Sequence, residues 1–597
     1  MHRSTRNGRP RAAAAPSRYP AAVDATNTMR AGLGCLLVTL LALAARSAGL
    51  GTLLPHAPEE DAYIVRQAEL IRAGGEPTDK FDRTVWRKYP HLLARVLAWA
   101  PIEPEPLPPL DATTLDRHLS AASRPHHLGR GLVALVSVLA IPLVWFLARC
   151  FTSPTAALLP TVLFASALLP HYLSQQARPH GPVGTFTLGC MLAAALWWQR
   201  PRTSVALLGG ISAALALACL HNGSAGLVPL FVAWICAWPR SSGRERILAP
   251  MLALFGIAVA VHFGYPFLSA LLDAGADLGN ESVTGHQVDT SGFNGGGFAV
   301  AFAALRHNDP LLGALALIGL VSGVASWRTR TPEQRRAAFA IASFAVPYLI
   351  AIGMYDRSFE RFALPLWPVL ALLAALGLRT LAAPLRAIGP GVAAVPLVVV
   401  VLFQTALVAR KVQFDLRPDT YETAAAFVES ELAPGTDELL LVPRAFLPLP
   451  LVERSTPFGE QSWSRLYRIP WREHLLAYPP EGEAWTIEPA GTRSQSGRIS
   501  ARVQGGGLNQ LWIAAIRDQL RASGARHLVS IRLERKGESG TFEQLMDGWG
   551  TLVHSVSPWP GDPDRPADFG YQGESAVERL LLGSCFGPTL RIWELPR

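Results

Sequence analysis

Eleven apolar runs constrain the fold of this sequence more than any other feature. A helix needs roughly 20 mostly apolar residues to cross the hydrocarbon core of a membrane. Runs of about that size lie at 31–50, 129–150, 155–173, 182–199, 203–220, 225–239, 247–272, 310–327, 337–354, 361–379 and 388–410. The pattern predicts an α-helical polytopic membrane protein with about 11 transmembrane helices. Two runs could instead be broken or re-entrant, because 225–239 is short and 361–379 contains two prolines.

The composition agrees with a membrane protein and argues against other classes. The chain has 50% hydrophobic and 17% charged residues, whereas soluble domains have about 25% charged residues. Its formal charge of +9 lies in short arginine clusters between the apolar runs. A nucleic-acid partner would require a basic stripe on a folded face, so none is expected. The six cysteines are scattered without metal-type spacing, which favours neither a disulfide framework nor a zinc site.

The arginines also predict the orientation in the membrane. One alternating set of connections between the runs is strongly basic and carries Arg3, Arg6, Arg9, Arg11, Arg18, Arg30, Arg149, Arg200, Arg202, Arg240, Arg244, Arg246, Arg328, Arg330, Arg335, Arg336, Arg379 and Arg386. Cytoplasmic loops are enriched in basic residues. We therefore expect a multi-pass protein of the inner (cytoplasmic) membrane with a cytoplasmic N-terminus. An odd number of spans then places 411–597 outside the cytoplasm.

Five regions follow from this topology. Residues 1–28 are predicted to be a disordered cytoplasmic N-terminus, and 29–410 to form the transmembrane domain. Within it, 51–128 is a long first outer loop with interfacial helices at Asp61–Ala73 and Lys88–Trp99, and 273–309 is a flexible outer loop that could act as a lid. Met29 directly precedes the first run, so Met1 and Met29 are both candidate starts. The first run could be read as a cleaved signal peptide, but its length favours an uncleaved anchor.

The C-terminal region 411–597 has the composition of a soluble domain. A helix is predicted at Asp419–Ala433, where Pro434-Gly435 would end it. Strands are predicted at 438–442, 527–533 and 589–594, and a second helix at 509–522. Helices alternating with strands indicate a small extracytoplasmic α/β domain. Its Trp- and Tyr-rich middle could contact carbohydrate, although aromatic residues are more often part of a core.

The strongest chemical signal is the acidic cluster directly after the first run. Glu59, Glu60 and Asp61 are followed by Tyr63. Crowded carboxylates repel one another and can supply a proton acceptor or a cation site. The alternative is a solvated helix N-terminus, where acidic residues are favoured by the helix dipole.

Cationic residues recur at other predicted outer positions. Lys88-Tyr89 opens the second interfacial helix, Arg178 and His180 lie in a short turn, and Arg361 precedes a late run. Lys and Arg at headgroup depth suit a phosphate. The alternatives are snorkelling side chains and local ion pairs. His221 ends another run on the same side and could be either a substrate contact or a structural histidine.

These motifs, in this order, resemble the type C glycosyltransferase superfamily. The likeness is strongest to bacterial members related to protein O-mannosyltransferases and to the aminoarabinose transferases of lipid A. The four corresponding segments are Glu60-Asp61-Ala62-Tyr63, Lys88-Tyr89-Pro90, Ala177-Arg178-Pro179-His180 and Arg361-Phe362-Ala363-Leu364-Pro365. The acids of the first motif are swapped relative to the family, and His180 replaces the family's acid. The likeness covers most of 29–440 and says little about 441–597.

The resemblance implies transfer of a sugar from a polyprenyl-phosphate donor to an acceptor hydroxyl, with inversion at the anomeric carbon. It implies that Asp61 or Glu60 is the catalytic base and that Lys88, Arg178 and Arg361 bind the donor phosphate. Tyr63, Tyr89, His180 and His221 are then further candidates for substrate contact. The acceptor would be an envelope lipid, glycan or protein, with membrane lipids as the surroundings.

The resemblance also bears on the cofactor, and two other functions compete with the transferase. Some superfamily members use a divalent metal held by carboxylates. The replacement of an acid by His180 argues against a metal site shared by two loops, so no cofactor is expected, with a divalent metal as the alternative. Two other functions stay open: a transporter or flippase for a lipid or polar solute, and a non-catalytic envelope assembly protein. A transporter would carry charges near the bilayer midplane and internal repeats, and neither is evident.

Overall fold

A computed structural model gives the fold. It describes residues 19–54, 63–74, 85–100, 115–265, 292–356, 358–431, 439–441, 527–532, 548–567 and 575–596, together with Arg517, Arg521 and Met546. Its α-helices are α1 (Tyr19–Ala48), α2 (Tyr63–Ala73), α3 (Leu92–Trp99), α4 (Leu115–Val138), α5 (Ala140–Ala148), α6 (Leu158–Ala165), α7 (Leu168–Ser174), α8 (His180–Gln199), α9 (Thr203–Cys219), α10 (Leu227–Ala237), α11 (Gly243–Gly264), α12 (Gly296–Asn308), α13 (Pro310–Ala325), α14 (Pro332–Met354), α15 (Trp367–Leu385), α16 (Pro390–Asp415), α17 (Thr420–Glu431) and α18 (Ala576–Leu582). Its strands are β1 (Leu439–Leu441), β2 (His527–Arg532), β3 (Thr551–Val556) and β4 (Thr589–Glu594).

Within the described residues, 7 helical segments are long and apolar enough to cross a membrane. They are formed by α1, α4 with α5, α8, α11, α14, α15 and α16. The bent pair α12 and α13 would make 8. The chain is therefore a multi-pass membrane protein by length and composition of its helices.

The other predicted runs form shorter helices. The run 155–173 is divided between α6 and α7, 203–220 forms the 17-residue α9, and 225–239 forms the 11-residue α10. The count of eleven spans therefore stays a prediction. Near the start of the chain, helix α1 begins at Tyr19, which is earlier than the predicted boundary at residue 29. Residues 1–18 lie outside the described residues.

The predicted flexible loop 273–309 is wrong in its last part, because Gly296–Asn308 is helical. The side chain of Asn294 accepts a hydrogen bond of 2.9 Å from the Gly296 N–H group at the start of α12. Gly295 provides the left-handed backbone there, with φ of 89°, which glycine adopts without strain. The glycines thus begin a helix where a mobile loop was expected. Residues 273–291 lie outside the described part.

The bend between α12 and α13 is held by Asp309. The two helices meet at 116°, and Asp309 is fully buried between them. Its carboxylate accepts hydrogen bonds from the N–H groups of Leu168 (2.8 Å) and Leu169 (3.2 Å) and from the indole of Trp367 (2.8 Å). A carboxylate at the first N–H groups of α7 satisfies donors that have no partner within that helix. One buried acid therefore fixes α7, α15 and the bent pair together.

Small residues allow α13 and α15 to pack closely. A Cβ added at Gly319 would overlap the carbonyl oxygen of Leu373, and one added at Gly377 would overlap that of Leu315. Helices in membranes commonly use small residues in this way, because the backbones can then approach closely.

The two helices predicted in 51–128 are present within its described residues, and their position at the membrane interface stays a prediction. Helix α2 begins at Tyr63, and α3 covers most of the predicted second helix. Ile64, Val65 and Ala68 are buried in one apolar cluster with Leu93 and Leu97. The apolar faces of α2 and α3 therefore meet and pack on the helical bundle.

The C-terminal region contains a small mixed sheet in the order β1-β2-β4-β3. Strand β1 is parallel to β2, whereas the β2–β4 and β3–β4 pairs are antiparallel. The predicted strand 589–594 coincides with β4. Strand β3 and helix α18 were not predicted from the sequence. The predicted helix 509–522 and the aromatic middle lie outside the described residues, apart from Arg517 and Arg521.

A buried polar network joins this region to the bundle. Lys411 forms an ion pair of 2.7 Å with Asp415 and a short hydrogen bond with Gln175. The hydroxyl of Thr52 donates to Asp415 at 2.8 Å. The Lys411 ammonium also lies 5.3 Å from the ring centre of Phe586, so α16, the first loop, the turn after α7 and the C-terminal region meet at one point.

Candidate functional site

The turn between α7 and α8 places two predicted site residues inside the protein. Arg178 and His180 are 4% and 2% exposed, although the sequence suggested a short outer turn. The turn is closed by a 2.7 Å hydrogen bond from the Arg178 N–H group to the Gln176 carbonyl. Pro179 precedes α8 with φ of −75°, an angle suited to entering a helix. His180 is therefore the first residue of α8.

Aromatic rings connect His180 to the first outer loop. The ring centre of Tyr89 lies 6.4 Å from that of His180, and 5.8 Å from that of Tyr63. The ammonium of Lys88 lies 5.7 Å from the centre of the Tyr63 ring. A cation at this distance from a ring face is attracted by the ring quadrupole. The motifs around Tyr63 and Lys88 thus meet at the turn that carries His180.

The late turn before α15 completes the arrangement from the other side. The ring centre of Phe362 lies 5.7 Å from that of His180. The guanidinium of Arg361 lies 4.1 Å from the ring centre of Phe359 and 5.7 Å from that of Phe362. Arg178 lies two residues before His180 in the same buried turn. We call the group of Tyr63, Lys88, Tyr89, Arg178, His180, Arg361 and Phe362 the aromatic–cationic cluster.

His221 lies in the turn that follows α9, beside the cluster. Its Nδ1 atom lies 3.0 Å from the hydroxyl of Tyr265. The neighbouring Asn222 amide donates a hydrogen bond of 3.2 Å to the Tyr348 hydroxyl, which in turn donates one of 2.8 Å to the Phe362 carbonyl. The turn after α9 therefore supports the backbone of the turn before α15. His221 precedes Asn222 in the turn after α9.

Gln67 is a positioning residue that sequence reasoning missed. It is fully buried, and its amide donates hydrogen bonds to the carbonyls of Val85 (3.0 Å), Trp86 (3.2 Å) and Tyr89 (2.9 Å). These bonds hold the backbone on both sides of Lys88. Gln67 lies between Ile64 and Ala68 on the apolar side of α2, and a polar residue on such a face was the signal in the sequence.

The predicted base lies outside the described residues, because Glu60 and Asp61 belong to 55–62. The chain is described again from Tyr63, whose ring is part of the cluster. The roles of both acids stay predictions.

The absence of a metal also stays a prediction. In the described part of the chain, no three His, Cys, Asp or Glu side chains are grouped so that they could hold a metal ion. The acidic residues 59–61 lie outside that part. Chemically, the described cluster combines cationic and aromatic groups, which fits an anionic ligand with an apolar or sugar-like portion.

Comparisons with known proteins found similarity in structure alone. No protein-family model and no curated protein matches the chain. The crystal structure of ArnT from Cupriavidus metallidurans in the apo state is 16% identical, with a TM-score of 0.41 over 66% of this chain and 71% of that chain. The same protein bound to undecaprenyl phosphate is 15% identical, with a TM-score of 0.42 over 72% of this chain and 86% of that chain.

A second kind of matched structure is the oligosaccharyltransferase of Archaeoglobus fulgidus in the apo form. It is 13% identical, with a TM-score of 0.42 over 88% of this chain and 73% of that chain. Both proteins belong to the type C glycosyltransferase superfamily. At these TM-scores the likeness is distant, so function is argued from the residues of this chain.

Proposed function

We propose that this chain is a membrane glycosyltransferase that moves a sugar from a polyprenyl-phosphate donor to an acceptor hydroxyl. The observation that supports this most is the aromatic–cationic cluster, in which motifs distant in sequence meet around His180. Each of the three segments that meet there carries a cation, Lys88, Arg178 or Arg361. A shared anionic ligand would account for this.

The cations of the cluster suit the departing lipid phosphate. Lys88, Arg178 and Arg361 belong to three different segments and would bind the phosphate from different sides. Charge-assisted hydrogen bonds to a phosphate are among the stronger ones. Cations fixed where negative charge develops lower the barrier, because they need no reorganisation during the reaction. The leaving group is already an anion, so these cations do the work that a general acid does for other sugar donors.

Asp61 or Glu60 would act as the base that removes the proton from the acceptor hydroxyl. The acceptor oxygen then attacks the anomeric carbon, and the bond to the phosphate oxygen breaks in the same displacement, which inverts the configuration. The transition state has oxocarbenium character, as in glycoside hydrolysis. A positioned base contributes about 10²–10⁴-fold to the rate.

The aromatic members of the cluster would contact the sugar or the first lipid units. Tyr63, Tyr89 and His180 lie between the cationic residues, where they can cover an apolar portion of the donor and exclude water. His221 is placed further out, next to Tyr265, and would contact substrate only at the edge of the site.

The proposal also includes the orientation in the membrane that the sequence predicts. The reaction takes place on the outer face of the cytoplasmic membrane, with the N-terminus in the cytoplasm and 411–597 outside. Eleven spans satisfy this arrangement. An envelope lipid, glycan or protein supplies the acceptor hydroxyl.

The test follows donor cleavage by the full-length protein in lipid vesicles. A panel of polyprenyl-phosphate sugars is supplied with a crude envelope extract as acceptor. We expect one donor to be consumed by the wild type, with at least about a 100-fold loss in Asp61→Asn or Glu60→Gln, whichever removes the base, and a large loss in Lys88→Ala. Arg328→Ala is the matched control, because Arg328 is exposed and far from the cluster in sequence.

Three results would contradict the proposal. Consumption that persists in both acid variants and in Lys88→Ala would remove the site assignment. Movement of a sugar-lipid across the vesicle membrane without cleavage would favour a transporter. No consumption of any donor across a complete panel, from a protein shown to be folded, would favour a non-catalytic assembly role.

A further inference from the structure

Arg46 is a buried arginine near the outer end of α1. The residue is 1% exposed. Its Nε and Nη1 atoms are buried and have no hydrogen-bond partner among the described residues. A charged group inside a membrane domain is expensive, so it normally faces a partner or a functional site.

The described acids nearby already have other partners. Asp415 pairs with Lys411 and accepts a hydrogen bond from Thr52. Asp309 accepts its hydrogen bonds from the start of α7 and from Trp367. In the part of the chain that the structure describes, no carboxylate forms an ion pair with Arg46. An uncompensated buried charge is strongly destabilising, so an anion bound beside Arg46 would stabilise the fold.

Arg46 lines a small cavity that can accept such an anion. The cavity has a volume of about 20 Å³, and its wall includes Ser137, Gly181, Thr185 and Leu364. The hydroxyl of Ser137 is buried and without a partner within the described residues. Gly181 belongs to the first turn of α8. Gly184 and Thr185, one turn further along α8, also line the cavity, which therefore lies against the side of this helix.

Gly181 is required for this geometry. A Cβ at that position would overlap the Ser137 hydroxyl oxygen, so another residue would displace the hydroxyl from the cavity wall. The wall therefore combines a guanidinium and a hydroxyl around one small volume, and the remaining lining residues are mostly apolar.

We propose that this cavity binds a small inorganic anion of the size of chloride, held by Arg46 and Ser137. The volume is close to that needed for one water molecule, so it suits a small ion better than a lipid phosphate with its ester oxygens. Gly181 follows His180, and Leu364 follows the turn of Arg361. The anion therefore lies directly behind the aromatic–cationic cluster, in a separate site. The inference does not depend on the proposed activity, because binding alone tests it.

The first experiment measures thermal unfolding of the full-length protein in detergent, with gluconate replaced stepwise by chloride or bromide at constant ionic strength. A ligand that binds only the folded state raises the Tm in a saturable way. We expect a rise of at least about 2 °C at saturation for the wild type. Arg46→Gln should remove the dependence, Ser137→Ala should shift it to higher concentration, and exposed Arg328→Gln should retain it.

The second experiment locates the ion in the wild type, so it does not depend on variants that fold. Crystals grown in bromide should give an anomalous peak within hydrogen-bond distance of the Arg46 guanidinium. A Tm with no saturable response to halide in the wild type would overturn the proposal, as would an equal response in Arg46→Gln. A cavity without a bromide peak would also overturn it. A peak that is displaced by added polyprenyl phosphate would show that the cavity is part of the donor site instead.

Discussion

The ring of Tyr89 lies edge-on to the ring of His180, with 6.4 Å between their centres and 83° between their planes. Tyr89 comes from the first outer loop, and His180 begins α8 after a short buried turn. The contact therefore joins two segments that the sequence places on the same side of the membrane but does not show to be neighbours. The contact is made by the Tyr89 ring and not by its hydroxyl group.

The Tyr89 ring should matter more than its hydroxyl. Tyr89→Ala removes the contacts with His180 and Tyr63, and aromatic pairs contribute about 0.5–1.5 kcal/mol beyond the buried area. We expect kcat/KM for donor consumption to fall by at least about 10-fold in Tyr89→Ala, since the total loss exceeds 1.4 kcal/mol. Tyr89→Phe should stay within a few-fold of the wild type. Equal losses in the two variants would assign the effect to the hydroxyl and contradict the packing role.

Neutralising the cations should weaken donor binding. A hydrogen bond to a charged group contributes about 1.5–3 kcal/mol. We therefore expect Arg178→Gln and Arg361→Gln each to raise the KM for the sugar-lipid by about 10–100-fold. Arg328→Gln, which changes an exposed arginine, is the control for loss of net charge. An unchanged KM in both cluster variants would show that these arginines do not bind the donor.

Activity should not require a divalent metal. The acid of the family motif is replaced by His180, whose ring is packed between Tyr89 and Phe362. We expect donor consumption after EDTA treatment to remain within about twofold of the untreated protein, with calcium-saturated EDTA as the control for chelator effects. Loss of activity in EDTA alone, restored by one added divalent cation, would contradict this and would direct attention to the acids at 59–61.

The sequence predicted elements where one simple pattern determined the structure. The apolar runs predicted most long helices, and strand β4 lies at the predicted positions 589–594. The start of α12 was missed because the glycines around Gly295 were interpreted as signs of mobility. The Asn294 side chain and the left-handed backbone of Gly295 begin a helix there instead.

The candidate site was predictable only in part. Charge sidedness placed Arg178 and Arg361 on one face, but burial of the turn and contact with Tyr89 depend on packing between distant segments. The supporting contacts of Gln67 and Tyr348 are buried side-chain hydrogen bonds. A periodic pattern does not encode the partner of such a bond, so these residues could be recognised only once the fold was known.

The crossing of α13 and α15 should be sensitive to one methyl group. A Cβ at Gly319 would overlap the Leu373 carbonyl oxygen, so Gly319→Ala must separate the helices. Overpacking of this kind costs about 1–3 kcal/mol. We expect a lower Tm for Gly319→Ala in detergent. Gly32→Ala is the matched control, because nothing lies within 4 Å of the added Cβ on α1, and its Tm should be equal or higher. A similar loss in both variants would contradict the close crossing.

The Lys411–Asp415 pair should show strong coupling. Both side chains are almost fully buried, at 2% and 0% exposure. Removing one member leaves the other charge without its partner, which costs about 3–5 kcal/mol for a buried pair. Lys411→Met and Asp415→Asn should therefore each lower the Tm markedly. The double variant should lose less than the sum, with a coupling of at least about 1 kcal/mol, because it leaves no buried charge and Asn keeps an oxygen for Thr52. Additive losses would show that the two side chains stabilise the fold independently, and that the junction between α16, the first loop and the C-terminal region does not depend on their ion pair.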